Sequence, residues 1–422
     1  MLNKSYIYSD KQIKKFSLYG FLKNLKFFEP YIVIFLLNQG LNLLEIGLLY
    51  TIKEIIINIF EIPSGIIADR FGNKNELLLS FVFYIISFFC FFFTNNFTIA
   101  IIATSFFGLG EAFRSGTHKA MIYTYLEIKG WQNQNTLVYG KTRSSSLLGS
   151  ALSSILFIVI ILLAPKNNYI FLASILPYIL DFILITTYPN TLNNIVKQPN
   201  RSIKYTIKDM LSHIFNTKEL RNSMLNNGLF ESVLASTKDL IQPLLETAII
   251  TSGIMMTYHI STDNTTKVIL GLTYSMIYIF SSYASKNAYR IKNHYNNKPI
   301  SVLLNYFNLL FGLVLILIAF MTKLPIALVI LFLVIYIINN TRKPIYIDLL
   351  GNLMDKNERV SILSVSSQLK SLLTMAFAPL TGFIADKIGI NYAFVIVGCC
   401  LIFIWCINKI TTKNNESITS GN

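Results

Sequence analysis

Repeated apolar runs of about 20 residues constrain this chain more than any other feature, because that is the length an α-helix needs to cross a bilayer. Only 14% of the 422 residues are charged and 53% are hydrophobic, with a mean hydropathy of +0.53. Soluble domains carry about a quarter charged residues. The chain therefore reads as an all-α integral membrane protein. Polar, basic residues at the start (Lys4, Asp10, Lys11, Lys14, Lys15) lead straight into a long apolar segment, so no cleaved leader is expected. The cysteines Cys90, Cys399, Cys400 and Cys406 lie inside apolar runs without metal-ligand spacing and read as packing residues.

Apolar runs and the polar breaks between them predict twelve membrane helices near 17–40, 44–68, 76–94, 98–125, 137–164, 169–189, 223–250, 265–285, 299–321, 324–346, 360–386 and 390–411. Lys and Arg gather in alternate loops: Arg70 and Lys74, Lys129, the group from Lys197 to Arg221, Lys286 to Lys298, and Lys356 with Arg359. By the positive-inside rule both termini are cytoplasmic, as expected for a multi-pass protein of the inner (plasma) membrane. The net charge of +15 is then explained without a nucleic acid partner.

The longest polar break divides the chain into 1–190, a central cytoplasmic loop 191–222, and 223–422. Six spans fall on each side, and Glu29-Pro30 in the first span is echoed by Gln242-Pro243 in the seventh. Two pseudo-symmetric six-helix halves are a known plan for secondary transporters.

Between the second and third spans stands "GIIADRFGNK", Gly65 to Lys74. Gly65 is expected to permit close helix approach. Asp69 can accept hydrogen bonds from a helix N-terminus or from an arginine, and Gly72 suits a tight turn. In residues and position this string resembles the signature of the major facilitator superfamily, with Asn73 standing where a basic residue is usual. The resemblance implies that fold, a small-molecule substrate, no cofactor and a monomeric state. It also implies a gating role for Gly65, Asp69, Arg70, Gly72 and Lys74, with Glu61 of "EIPSG" nearby as part of the inner gate. A similar string, "GFIADKIGI" from Gly382 to Ile390, falls on the outer side by parity, and Asp386 is expected only to find a local polar partner at a helix end. Two family signatures are missing, which argues against a standard multidrug antiporter: Thr104 stands where many proton-coupled members carry an arginine before Gly108-Leu109-Gly110, and the fifth span lacks the Gly-Pro pair of drug and proton antiporters.

Charges inside spans are costly and face a cavity or each other. Glu111, Arg114 and His118 recur at helical spacing on the fourth span, and Glu231, Lys238, Asp239 and Gln242 lie on the seventh. Lys53, Glu54, Arg143, Asp181 and Lys370 lie at comparable depth. The first, fourth and seventh spans line the cavity in transporters that this chain resembles. Glu29, Glu111, Arg114, Lys238 and Asp239 are therefore the candidates for substrate and ion binding, and Glu29, Glu111 and Asp239 for the proton. Mixed charge in the cavity suits a polar, zwitterionic or anionic-plus-apolar solute.

The chain has no HExxH, GxSxG or GxxxxGK[ST] string, and His118, His213, His259 and His294 are scattered. A membrane enzyme or an ATP-driven pump is thereby disfavoured. The expected function is proton-coupled efflux of a small solute by alternating access across the lipid bilayer. An ion-coupled importer, a uniporter or a non-transporting sensor of the same fold are the alternatives.

Overall fold

With no water in the hydrocarbon layer, a spanning backbone must satisfy its own hydrogen bonds, and helices do so within each segment. The computed structural model describes residues 4–131, 134–193, 217–252, 262–294, 300–353 and 359–419. Most of the central loop, 194–216, lies outside the described residues, as does the side chain of Asp69. All regular elements among the described residues are helical. In chain order they are α1 (Lys4–Ser9), α2 (Lys11–Lys23), α3 (Ile32–Asn38), α4 (Leu43–Phe71), α5 (Asn73–Phe92) and α6 (Phe97–Arg114). There follow α7 (Thr117–Ile128), α8 (Asn135–Leu163), α9 (Tyr169–Thr186), α10 (Lys218–Thr237) and α11 (Ile241–Thr251). The series closes with α12 (Thr262–His294), α13 (Ile300–Phe320), α14 (Pro325–Leu353), α15 (Arg359–Lys387) and α16 (Ile390–Thr419).

Each expected span has helical counterparts, but three are not continuous. The first breaks between α2 and α3, where Pro30 follows Glu29. A proline disfavours helix at the residue before it. The fourth breaks at Ser115-Gly116, with Gly116 at φ +80°, a conformation that glycine adopts without penalty. The seventh is interrupted by a 3₁₀ turn at Lys238–Leu240, where Pro243 lacks the N–H that would bond back to the carbonyl four residues earlier. Eight helical stretches among the described residues are long and apolar enough to cross a membrane on composition alone. The second and eleventh expected spans, α4 and α15, carry internal charges such as Lys53, Glu54 and Lys370.

Large apolar side chains stand on the outside as well as in the core, and polar side chains are buried among them. Leu163, Ile326, Phe320 and Phe403 are 66–79% exposed, while Ser80, Ser174, Asp181, Gln242 and Asn308 are fully buried. Apolar surface outside, over a core that also holds buried polar groups, fits a lipid surround.

The chain forms two compact units whose limits cross the sequence. The first comprises Met1–Leu41, Leu49–Gln198 and Asp263–Ile279, and the second Asn42–Leu48, Pro199–Thr262 and Phe280–Asn422. In the first unit buried rings pack between α5 and α9: Tyr84 meets Tyr178 edge-on at 5.2 Å between centroids, and Phe88 meets Tyr178 at 4.8 Å. In the second unit α13 and α16 approach closely at Gly312 and Gly398, where a side chain on either would meet the other's carbonyl oxygen.

The second unit also corrects the sequence reading of Asp386. Its partner is not local: one carboxylate oxygen accepts from the Leu43 N–H at 2.9 Å and the other from the Leu44 N–H at 2.6 Å. Asn42 and Glu45 complete the start of α4 as a reciprocal capping box, at 2.8 and 2.9 Å. The first helical donors, which no helix can satisfy internally, are thus all taken. Gly382 lies against the Leu43 carbonyl, where any side chain would collide.

Asp386→Ala should fray the start of α4 at a cost of about 1 kcal/mol, the usual worth of a lost cap. Gly382→Val should cost about 1–3 kcal/mol through overpacking. Amide hydrogen exchange at Leu43 and Leu44 checks both: protection should fall at these two positions, and unchanged protection would refute the clamp.

Candidate functional site

A dense group of buried charge lies in the first unit, where α2 and α6 both end. Lys23, the last residue of α2, places Nζ 3.3 Å from Glu111 Oε1, and the Glu111 side chain is only 18% exposed. The other carboxylate oxygen accepts from Arg114 Nη2 at 2.7 Å. Arg114 closes α6 and also donates from Nε to the Tyr84 hydroxyl at 3.2 Å, while the Tyr178 hydroxyl donates to the Lys23 carbonyl at 3.0 Å. Four helices, α2, α5, α6 and α9, meet in this one network.

Beside it is a cavity of about 320 Å³ whose lining includes Tyr19, Lys23, Arg114, His118, Lys119 and Arg143. His118 stacks on Tyr19 at 3.7 Å between centroids and 14° between planes, and its Nε2 has no hydrogen-bond partner among the described residues. Asp181 on α9 is fully buried, and neither of its carboxylate oxygens has a hydrogen-bond partner among the described residues. Lys23, Lys119, Arg114 and Arg143 therefore line the cavity with no carboxylate in its lining among the described residues, and Glu111 is shared by Lys23 and Arg114. Such a pocket attracts an anion. No group of three or more His, Cys, Asp and Glu side chains among the described residues could hold a metal.

Glu111 and Arg114 thus meet as the sequence suggests, although the helix face they share with His118 is broken at Gly116. Glu29 stands half-buried in the break between α2 and α3 and does not line this cavity. Lys238 and Asp239 lie in the 3₁₀ turn of the second unit, 3.7 Å apart. Lys53 and Glu54 pair with each other at 3.2 Å.

The gating candidates are placed unevenly. Gly72 starts α5 at φ +90°, packed against Asn193, whose side-chain oxygen accepts from the Lys74 N–H. The Lys74 ammonium donates to the carbonyls of Thr186 and Tyr188 at 2.7 and 2.8 Å, closing the end of α9 within the same unit. Arg70 is exposed over the Phe71 ring. Glu61 is half-buried, and its backbone carbonyl accepts from the Ser64 hydroxyl. Gly65 corrects its expectation: it is exposed, with open space where a side chain would stand, and makes no close helix contact among the described residues.

Sequence reasoning missed Lys23, Tyr84 and Tyr178 and left Asp181 outside the chosen set. A lysine in the first span, one turn after Tyr19, was the available signal for Lys23.

Helices of membrane-spanning length, lipid-type burial and a buried ion network define a multi-pass helical membrane protein. The profile of the Major Facilitator Superfamily matches residues 24–377, and the chain belongs to that family. It is 36% identical over 90 residues to the MFS-type transporter YxaM of Bacillus subtilis (strain 168), a match that covers 21% of this chain and only 23% of that protein. The fold is similar to a crystal structure of a mutant of the nucleoside transporter NupG, with a TM-score of 0.76 at 12% identity over 94% of this chain and 98% of that one. It is also similar to a mutant of the peptide transporter POT, with a TM-score of 0.71 at 11% identity over 94% and 91%.

Removing Glu111 leaves two cations facing each other, whereas removing Lys23 leaves Glu111 its shorter bond to Arg114. Glu111→Gln should therefore lower stability by about 3 kcal/mol, the low end for breaking a buried pair because the group keeps some exposure. Lys23→Met should cost less, and adding it to Glu111→Gln should recover part of the loss. Thermal unfolding of the four proteins in micelles measures this, and strictly additive losses would refute the coupling.

Proposed function

We propose that the chain is a secondary active transporter that moves a small solute across the membrane by alternating access, and that the solute carries a negative charge beside an apolar part. The observation that carries this reading is the cavity edged by Lys23, Arg114, Lys119 and Arg143, with Glu111 shared between the first two. Buried aromatic side chains nearby supply the apolar contact.

Coupling to protons follows from the same network. Protonation of Glu111 would release Lys23 and Arg114 toward an anionic solute, and deprotonation would reclaim them, so that the carboxylate and the solute compete for the same two cations and the solute binds best when the proton is bound. Proton and anion bound together give cotransport, which with an inward proton gradient drives uptake, so this network favours the ion-coupled importer over efflux. Asp239, paired with Lys238 in the second unit, is the second candidate proton carrier, and Glu29 the third. In this reading residues 1–190 and 223–422 are the two halves that rock, joined by 191–222, with both termini cytoplasmic in the inner membrane of a monomer. The "GIIADRFGNK" loop, through Gly65, Asp69, Arg70, Gly72 and Lys74, and Glu61 beside it, form the inner gate.

The test is proton movement in liposomes that hold purified protein, an internal pH dye and an imposed pH gradient. Antibiotics, organic acids, amino acids and sugars are added in turn. Acidic compounds should accelerate proton flux with the parent, Arg114→Ala should abolish that response, and Glu111→Gln should uncouple solute movement from proton movement. Transport of acidic compounds that survives Arg114→Ala in folded protein would refute the anionic reading. Flux that responds to a compound but is unaffected by Glu111→Gln or Asp239→Asn would refute the proton sites.

A further inference from the structure

Arg342 is the largest side chain among those fully buried, 1% exposed on α14. Its surroundings lie wholly in the second unit. Nη1 donates to Asn227 Oδ1 at 2.6 Å and Nη2 to Asn226 Oδ1 at 2.9 Å, both on α10. The guanidinium lies over the Phe230 ring at 4.2 Å, with the Tyr346 ring at 5.9 Å. Asn308 on α13 donates to the same Asn226 oxygen at 3.1 Å. Arg342 Nε and Asn308 Oδ1 have no hydrogen-bond partner among the described residues.

The chemistry of this arrangement is incomplete. A buried cation is normally matched by a carboxylate, because an unmatched one costs several kcal/mol. The hydrogen-bond acceptors around Arg342 are neutral amides. The nearest acid on α10, Glu231, is one turn beyond Asn227, and its single charge is shared among Arg342, Lys343 and Lys370, the last at 3.8 Å. Arg114 of the first unit provides the contrast. Each arginine is the eighteenth residue of its helix, Arg114 in Phe97–Arg114 and Arg342 in Pro325–Leu353. Arg114 has Glu111 at 2.7 Å, whereas Arg342 has two amides.

We propose that Arg342, Asn226 and Asn227 form an oxyanion-binding site in the second unit, for a carboxylate or phosphate group. A guanidinium presents a planar fork matched to two oxygens of such a group. Asn226 and Asn227 hold that fork in place through their side-chain oxygens, and an arriving anion supplies the negative charge that Glu231 divides among three cations. Phe230 forms the apolar floor. The site stands apart from the transport reading, since binding here requires no translocation.

The experiment is thermal unfolding of the full chain in micelles with acetate, succinate or inorganic phosphate, against chloride at matched ionic strength. The parent should be stabilised in a saturable way by at least one oxyanion, and the preferred one separates carboxylate from phosphate. Arg342→Gln should lose that stabilisation, and Arg342→Lys should keep it with affinity lowered about tenfold, because an ammonium cannot make the fork. Without added anion, Arg342→Gln should unfold at the parent's temperature or above it, since one of three cations that share Glu231 has been removed. An anion response that is unchanged in Arg342→Gln would overturn the proposal. So would a fall in its unfolding temperature without anion that Arg342→Lys does not restore, because that is the mark of a purely structural arginine.

Discussion

Glu111 bonded to both Lys23 and Arg114 is the interaction on which the first unit turns. A carboxylate in an apolar surround is tolerated only when its charge is met, and here it is met by residues at the ends of two helices. Both cations sit where the backbone leaves the helix, Lys23 before the break that contains Pro30 and Arg114 before Ser115-Gly116. Helix C-termini favour positive charge. The breaks therefore give these cations a favourable position and also open the space beside them. The hydroxyls of Tyr84 and Tyr178 then tie α5 and α9 to the same group, so a change in the charge on Glu111 would be felt by four helices at once.

The second unit meets a similar problem by a different route. Its arginine at the same helical position is buried more completely, yet it is held by neutral amides. A polar network with unsatisfied members is less favourable than a complete one. Arg342 Nε and Asn308 Oδ1 are such members, and this asymmetry between Arg114 and Arg342 is what separates a closed ion network from a receptive one.

The spans were legible because an apolar run long enough to cross a bilayer has few other uses. Their interruptions were not, because proline and glycine permit a break without requiring it. Pro63, Pro177, Pro344 and Pro379 all sit inside continuous helices, whereas Pro30 sits within a break that the surrounding sequence does not distinguish from them. In the candidate site, the pair Glu111 and Arg114 could be read from its spacing on one helix. Lys23, Tyr84 and Tyr178 could not, since their approach depends on how α2, α5 and α9 pack, and no local spacing encodes that. Arg342 was hidden for another reason: in "NNTRKP" it stands among residues that resemble the polar end of a span.

The two related strings make the same point about motifs. "GIIADRFG" and "GFIADKIG" share their glycines and their aspartate, and both end in a glycine with positive φ, Gly72 at +90° and Gly389 at +120°. The turn is thus a property of the string itself. Close helix approach is not: Gly65 faces open space, while Gly382 lies against the Leu43 carbonyl. A glycine removes an obstacle, but a contact forms only if another backbone comes to fill the gap, and at Gly382 the start of α4 does so with free N–H groups that Asp386 can receive. The string specifies what can dock there, and the neighbouring helix end decides whether it does.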